Sequence, residues 1–208
     1  VDKTQQKVID VVTGTAVTIG SGVTIVDTPE GPALHFSGSQ QFNFDHPAVA
    51  GTGVCNYISI GRIRATAQQG GNPGQIFGPA WKGGDQCSYG IGWDNSATPK
   101  VGGTVLNGNG AGMSVSVTTA INRFDTVAAI GDAGNFHSTA WVNGVSLGTN
   151  QGTGGVGNPD TISFGGQVRL SGALRYATGD LLWAALLKQH NAVVGDFPLD
   201  QAPFLTGA

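Results

Sequence analysis

The chain has 208 residues, 35 of them glycine, and a formal net charge of −3. Glycine runs at more than twice its usual level of about 7%, and charged residues, at 11%, at less than half of theirs, about 25%. An apolar fraction of 39% with so little net charge excludes a disordered chain. Glycine costs roughly 1 kcal/mol per internal helix site and so excludes helix bundles and coiled coils. An all-β chain with many tight turns is what this composition leaves.

Alternation of apolar and polar residues predicts strands, in chain order, at about 8–13, 15–19, 23–27, 33–37, 40–44, 54–64, 74–78, 87–93, 113–118, 124–131, 137–143, 145–149, 161–165 and 172–177. Each run is bounded by Gly, Pro, Asn or Asp. Asn143-Gly144 between two such runs supplies the two positive-φ residues of a type I′ hairpin turn. Gly179-Asp180 reads as a turn. Residues 179–188 are apolar on both faces and read as a central strand or a short helix, with strand favoured by that turn and the β-rich sequence before them. Trp141 and Trp183 fall in strong strand patterns and are expected in the core. Residues 68–74, 107–112 and 149–155 read as long polar loops, and the glycines clustered at 70–74, 83–84, 102–112 and 152–157 as loop glycines. No linker composition divides the chain, so residues 1–208 are expected to form one domain, with 189–208 a short C-terminal helix or tail. No repeat of solenoid or propeller length is visible.

The slightly acidic balance and the lack of any Lys/Arg cluster argue against a nucleic-acid partner. No apolar run has the length of a membrane helix, and the first residues, Val1-Asp2-Lys3-Thr4-Gln5, carry no apolar signal core. Cys55 and Cys87 read either as two free thiols or as one disulfide. They are too few for a disulfide scaffold or a structural zinc site.

Motifs of catalysis are present only in outline. Gly144-Val145-Ser146-Leu147-Gly148 has the spacing of a nucleophile elbow, but a hairpin precedes the serine and no helix is predicted after it. Gly108-Asn109-Gly110-Ala111-Gly112 is followed by a strand, so no helix N-terminus is available for phosphate. His35, His46, His137 and His190 form no metal-ligand spacing. Ca²⁺ stays open, because it takes lone Asp and Asn oxygens such as those of Asp94, Asn95 and Asp132. Glycoside hydrolysis needs two facing carboxyl groups. The sole glutamate, Glu30, lies in a Pro-Glu-Gly turn, and no Asp pair is spaced i, i+2 on a predicted strand. The reading is non-enzymatic. The candidate ligand-binding residues are Trp81, Asp85, Tyr89, Trp93, Asp94 and Asn95. Exposed rings beside Asp and Asn grip sugars, the C–H face stacking on a ring while hydroxyls pair with polar groups. The competing reading places these rings in the core beneath long loops.

Several segments, in order, resemble the concanavalin A-like, laminin-G-type jelly-roll family. They are Asp10-Val11-Val12-Thr13-Gly14, Gly31-Pro32-Ala33-Leu34-His35-Phe36-Ser37-Gly38-Ser39, Phe124-Asp125-Thr126-Val127-Ala128-Ala129, Ala140-Trp141-Val142-Asn143-Gly144 and Gly179-Asp180-Leu181-Leu182-Trp183-Ala184. Phe124 stands where the family has Trp. The resemblance implies an antiparallel two-sheet jelly-roll sandwich. The opening segment and the Ala202-Pro203-Phe204 ending resemble domains of bacteriophage structural proteins. That implies a virion protein: a capsid decoration, fibre or tail adhesin module. It would dock to other virion proteins and to itself as a homo-oligomer, with weak binding of cell-surface glycan and no membrane partner. The alternative is a carbohydrate-binding module of a bacterial secreted or cell-surface protein.

Overall fold

The computed structural model describes residues 1–46, 49, 56–67, 74–80, 82, 89–94, 98–107, 110–132, 137–151, 159–166 and 176–189. Fifteen strands are found among them: β1 (Lys7–Ile9), β2 (Ala16–Thr18), β3 (Thr24–Thr28), β4 (Gly31–Ser37), β5 (Phe42–Phe44), β6 (Asn56–Ala65), β7 (Gly74–Ala80), β8 (Tyr89–Asp94), β9 (Lys100–Asn107), β10 (Gly110–Thr118), β11 (Phe124–Asp132), β12 (His137–Val142), β13 (Val145–Gln151), β14 (Thr161–Phe164) and β15 (Thr178–Gln189). A six-stranded sheet has the order β10-β9-β8-β7-β14-β5, and a seven-stranded sheet the order β13-β12-β11-β6-β15-β4-β3. β1 and β2 form a separate hairpin. Every pairing is antiparallel. This is the two-sheet jelly-roll sandwich.

The main core fills the space between the sheets, because alternate residues of each strand point inward. From the seven-stranded sheet it receives Leu34, Phe36, Ile63, Val127, Val142 and Leu181, and from the six-stranded sheet Phe42, Phe44, Ile91, Trp93, Ile162 and Phe164. Phe42 stacks on Phe164 at 4.8 Å. A second cluster lies on the other face of the seven-stranded sheet. Ile58, Ile60, Ala128 and Ile130 are buried there, with Trp141, Ala185 and Leu187 packed against them. β15 thus has Leu181, Ala184 and Leu186 on one face and Ala185 and Leu187 on the other, the two-sided strand that its sequence suggests.

The β12–β13 turn takes the expected form: Asn143 has φ 51° and Gly144 φ 79°, the two left-handed residues of a type I′ turn. Asn143 contributes more than its backbone. Its Nδ2 donates to Asp125 Oδ1 at 2.8 Å, and its Oδ1 accepts the Thr126 N–H at 2.9 Å. Asp125 is 1% exposed, and Thr119 and Arg123 also donate to it, so its buried carboxylate is fully hydrogen-bonded.

The structure corrects several expectations. Lys100–Asn107 is a strand, and residues 110–112 belong to the next one. A Cβ at Gly102 would lie 2.1 Å from the Val115 carbonyl oxygen. The glycine there serves close strand approach rather than a loop. Gly179-Asp180 is not a turn but part of β15, paired with Phe36 and His35 of β4. Trp183 is not in the core and is 37% exposed. Of the strand expected at 172–177, residues 172–175 lie outside the described residues, as do the expected helix after residue 189, Cys55 and Cys87.

Candidate binding site on the outer face of the seven-stranded sheet

β6 carries Tyr57, Ile63 and Ala65 into the main core, so Arg62 and Arg64 point to the opposite, outer face. On β15 the register shifts between Leu181 and Trp183, which brings Trp183 opposite Arg62. Directly opposed residues share a face, with Cβ atoms about 4.5–5.5 Å apart. This bulge lifts the Trp183 ring onto the outer face.

Arg62 is held by Glu30, in the turn between β3 and β4. Its Nε donates to Oε2 at 2.9 Å and its Nη2 to Oε1 at 2.8 Å, a side-on bidentate pair, while Nη1 donates to Thr126 Oγ1 at 3.2 Å. The hydrogen bonds from Arg62 hold the Glu30 carboxyl below its ordinary value, and the same contact raises Arg62. Because β15 and β4 separate β6 from β3 in the sheet, the pair bridges across the outer face beside Trp183.

Arg64 is held by a different carboxylate. Asp180 is 0% exposed. Its Oδ2 accepts Arg64 Nε at 2.7 Å, and its Oδ1 accepts His35 Nδ1 at 2.7 Å. A charge this deeply buried persists only when paired and hydrogen-bonded. Phe124 lies beneath both guanidinium groups, with Arg64 Cζ 4.6 Å and Arg62 Cζ 5.7 Å from its centroid. Two arginines above one ring form cation–π contacts and fix the spacing of the two ion pairs. The result is a rigid strip of alternating charge, with an indole ring at one side.

Of the six residues expected to form a sugar site, the structure describes the side chain of Trp93 alone. Trp93 is 0% exposed and belongs to the main core, because positions 91 and 93 of β8 both face inward. Tyr89 and Asp94 lie at opposite ends of β8, five residues apart, or about 17 Å along a strand. Trp81, Asp85 and Asn95, and the side chains of Tyr89 and Asp94, lie outside the described residues. Among the described residues no group of three or more His, Cys, Asp or Glu could hold a metal ion. The outer strip escaped the sequence reading because its members are distant: Arg62 is 32 residues from Glu30, and Asp180 is 116 from Arg64 and 145 from His35. One local signal was available. Two arginines two residues apart in a strand share a face, and a charged pair on one face of an otherwise apolar strand needs partners.

No family model matches the sequence, and no curated protein matches it. Solved structures do resemble it. A heptameric SAP-like pentraxin from Limulus polyphemus is 18% identical with a TM-score of 0.51, covering 73% of each chain. The CBM40 of the Ruminococcus gnavus IT-sialidase, solved bound to alpha2,6 sialyllactose, is 16% identical with a TM-score of 0.51, covering 84% of this chain and 96% of its own. The K499G mutant of NanB sialidase from Streptococcus pneumoniae is 12% identical with a TM-score of 0.53, covering 82% of this chain and 27% of its own. At these identities the likeness is one of fold. The chain shares with them the two-sheet jelly-roll sandwich.

Proposed function

We propose that the chain is a non-enzymatic glycan-binding module that holds sugar on the outer strip of the seven-stranded sheet. The observation that carries this reading is Trp183, an exposed ring set in register beside the bidentate Arg62–Glu30 pair. A sugar's C–H face stacks on an indole, and its hydroxyls exchange hydrogen bonds with the remaining lone pairs and N–H groups of a planar ion pair. The pre-set geometry lowers the ordering cost of binding. Chemistry is disfavoured by the same contacts: Arg62 engages both oxygens of Glu30, and Arg64 and His35 engage those of Asp180. Neither carboxylate is placed as a free general acid. The CBM40 likeness supports a binding role by analogy of fold. Trp81 and Asp85 are proposed as a second contact region, and a secreted or cell-surface setting goes with this reading.

Titration against a glycan array, comparing the native chain with Trp183→Ala and Arg62→Ala, tests the proposal. At least one glycan should bind, and each substitution should weaken it about tenfold or more. Failure to bind any glycan would overturn it. The virion reading rests on the sequence resemblance at residues 10–14 and 202–204. Electron microscopy of particles lacking the protein tests it, and unchanged density on every virion component would remove it.

A further inference from the structure

Where β4 and β15 part company the sandwich holds a cavity of about 400 Å³. Their pairing ends at Leu34–Leu181, while β15 continues along β6 to Gln189. Every residue from Leu181 to Leu187 lines the space, so it runs beside β15 for roughly 20 Å. Its inner wall is apolar, built from Leu34, Phe44, Phe77, Ile162, Phe164 and Leu186. An apolar cavity of about 150 Å³ already stays dry and takes up benzene. This one is more than twice as large.

The mouth is apolar as well. Seven large apolar residues are exposed among the described residues, and five of them, Val1, Ile9, Val11, Val12 and Trp183, line this same cavity. Such gathering marks an interaction site, whereas single scattered apolar residues do not. Val11 and Val12, 92% and 88% exposed, are held out by a rigid turn. Asp10 Oδ1 accepts the Val12 N–H at 3.0 Å, its Oδ2 accepts Thr13 Oγ1 at 2.5 Å, and His46 Nε2 lies 3.1 Å from Oδ2. The bond from Thr13, then that from Val12, holds the Asp10 carboxyl below its ordinary value, so Asp10 is a carboxylate at neutral pH, with His46 and Val1 lining the same mouth. Hydroxyl groups of Thr13 and Thr15 stand beside it.

We infer that this cavity binds the straight alkyl chain of an uncharged amphiphile, with a hydroxyl head at the Asp10–His46 mouth. The length along β15 selects an extended chain, the lining selects hydrocarbon, and the Asp10 carboxylate with the Thr13 and Thr15 hydroxyls favours a hydroxyl head over an anionic one. The inference rests on the cavity and its rim, not on glycan binding, although Trp183 belongs to both surfaces.

Octan-1-ol and octanoate share a chain length and differ in head charge. Titrating each above neutral pH, followed by methyl NMR shifts, should move the Leu34, Ile162 and Leu186 signals with octan-1-ol, and octanoate should bind roughly tenfold more weakly. Asp10→Asn, which keeps an acceptor for the Val12 N–H, should bring octanoate to within about threefold of octan-1-ol. Ala184→Phe, which fills the cavity, should abolish binding of both. Val12→Ser, at an exposed position, provides a variant that folds if Ala184→Phe does not, and should weaken octan-1-ol several-fold. The inference fails if octan-1-ol leaves these methyl signals unmoved, or if octanoate binds the native chain as well as octan-1-ol does. It fails equally if sedimentation shows that the patch is buried in a dimer that octan-1-ol leaves intact. Trp183 belongs to both surfaces, so glycan is titrated into Val12→Ser and Ala184→Phe, which leave Trp183 and Arg62 in place, and loss of one ligand with the other kept lets either reading fall alone.

Discussion

Replacing Arg64 with methionine keeps most of the stem and removes the charge that answers Asp180. Asp180 has no exposure, and the Arg64 side chain has 19%, so the carboxylate left behind would face a largely dry site with His35 as its remaining partner among the described residues. Breaking a buried ion pair from one side costs about 3–5 kcal/mol. Two features modify that figure. The one-fifth exposure of Arg64 lets water reach the vacated space, and the lost stacking on Phe124 adds about 0.5–1 kcal/mol. A net loss of about 2–4 kcal/mol follows, which at this chain length lowers Tm by roughly 5–15 °C. The companion experiment is Arg64→Met with Asp180→Leu. Removing both charges leaves no orphaned group, so the double variant should recover to within about 1 kcal/mol of the native chain. Urea unfolding followed by far-UV circular dichroism, with the slope checked for constancy, measures all three. A loss under about 1 kcal/mol in Arg64→Met, or no recovery in the double variant, would refute the reasoning that Asp180 is a buried charge neutralised chiefly by Arg64.

Trp93→Ala should cost about 3–5 kcal/mol by thermal unfolding, as a core deletion does, whereas Trp183→Ala should cost less than about 1 kcal/mol. Gly92→Ala should destabilise by about 1–3 kcal/mol or more, since a Cβ there would sit 2.0 Å from the Gly74 carbonyl oxygen; chemical denaturation reads this directly. Glu30 has a folded-state value below its ordinary 4.5. Its contribution to stability is therefore complete above pH 4.5 and is lost as pH falls through the lower folded value. Thermal scans from neutral to acid pH should accordingly show a smaller acid-induced drop in Arg62→Met than in the native chain.

How far the sequence revealed this molecule depended on whether the deciding contact was local. The β12–β13 hairpin was legible because Asn143 and Gly144 are adjacent and their left-handed backbone is a property of the dipeptide itself. β9 was not, because Gly102 and Gly103 carry the composition of a loop. Their place in a strand is imposed by the close passage of β10, seen only in the register of Gly102 against Ser116. Trp183 looked like a core residue, being flanked by leucines and alanines. One inserted residue between Leu181 and Trp183 changed its face, since alternation loses its meaning across a bulge. Asp180 looked like part of a turn after Gly179, and its partners lie on two other strands. Trp81 and Trp93 looked like neighbours, but the interior position of residue 93 on β8 removes it from any shared surface. The fold class was therefore readable from periodicity and punctuation, while the outer strip was assembled by long-range pairing that no window of sequence contains.

The most direct test of the central claim is isothermal titration of the native chain and of Trp183→Ala with the glycan that binds best on an array. The account predicts saturable binding by the native chain and a loss of about tenfold or more in Trp183→Ala at unchanged fold and nearly unchanged Tm. Equal affinity in the two proteins, or no glycan bound by either, would contradict it.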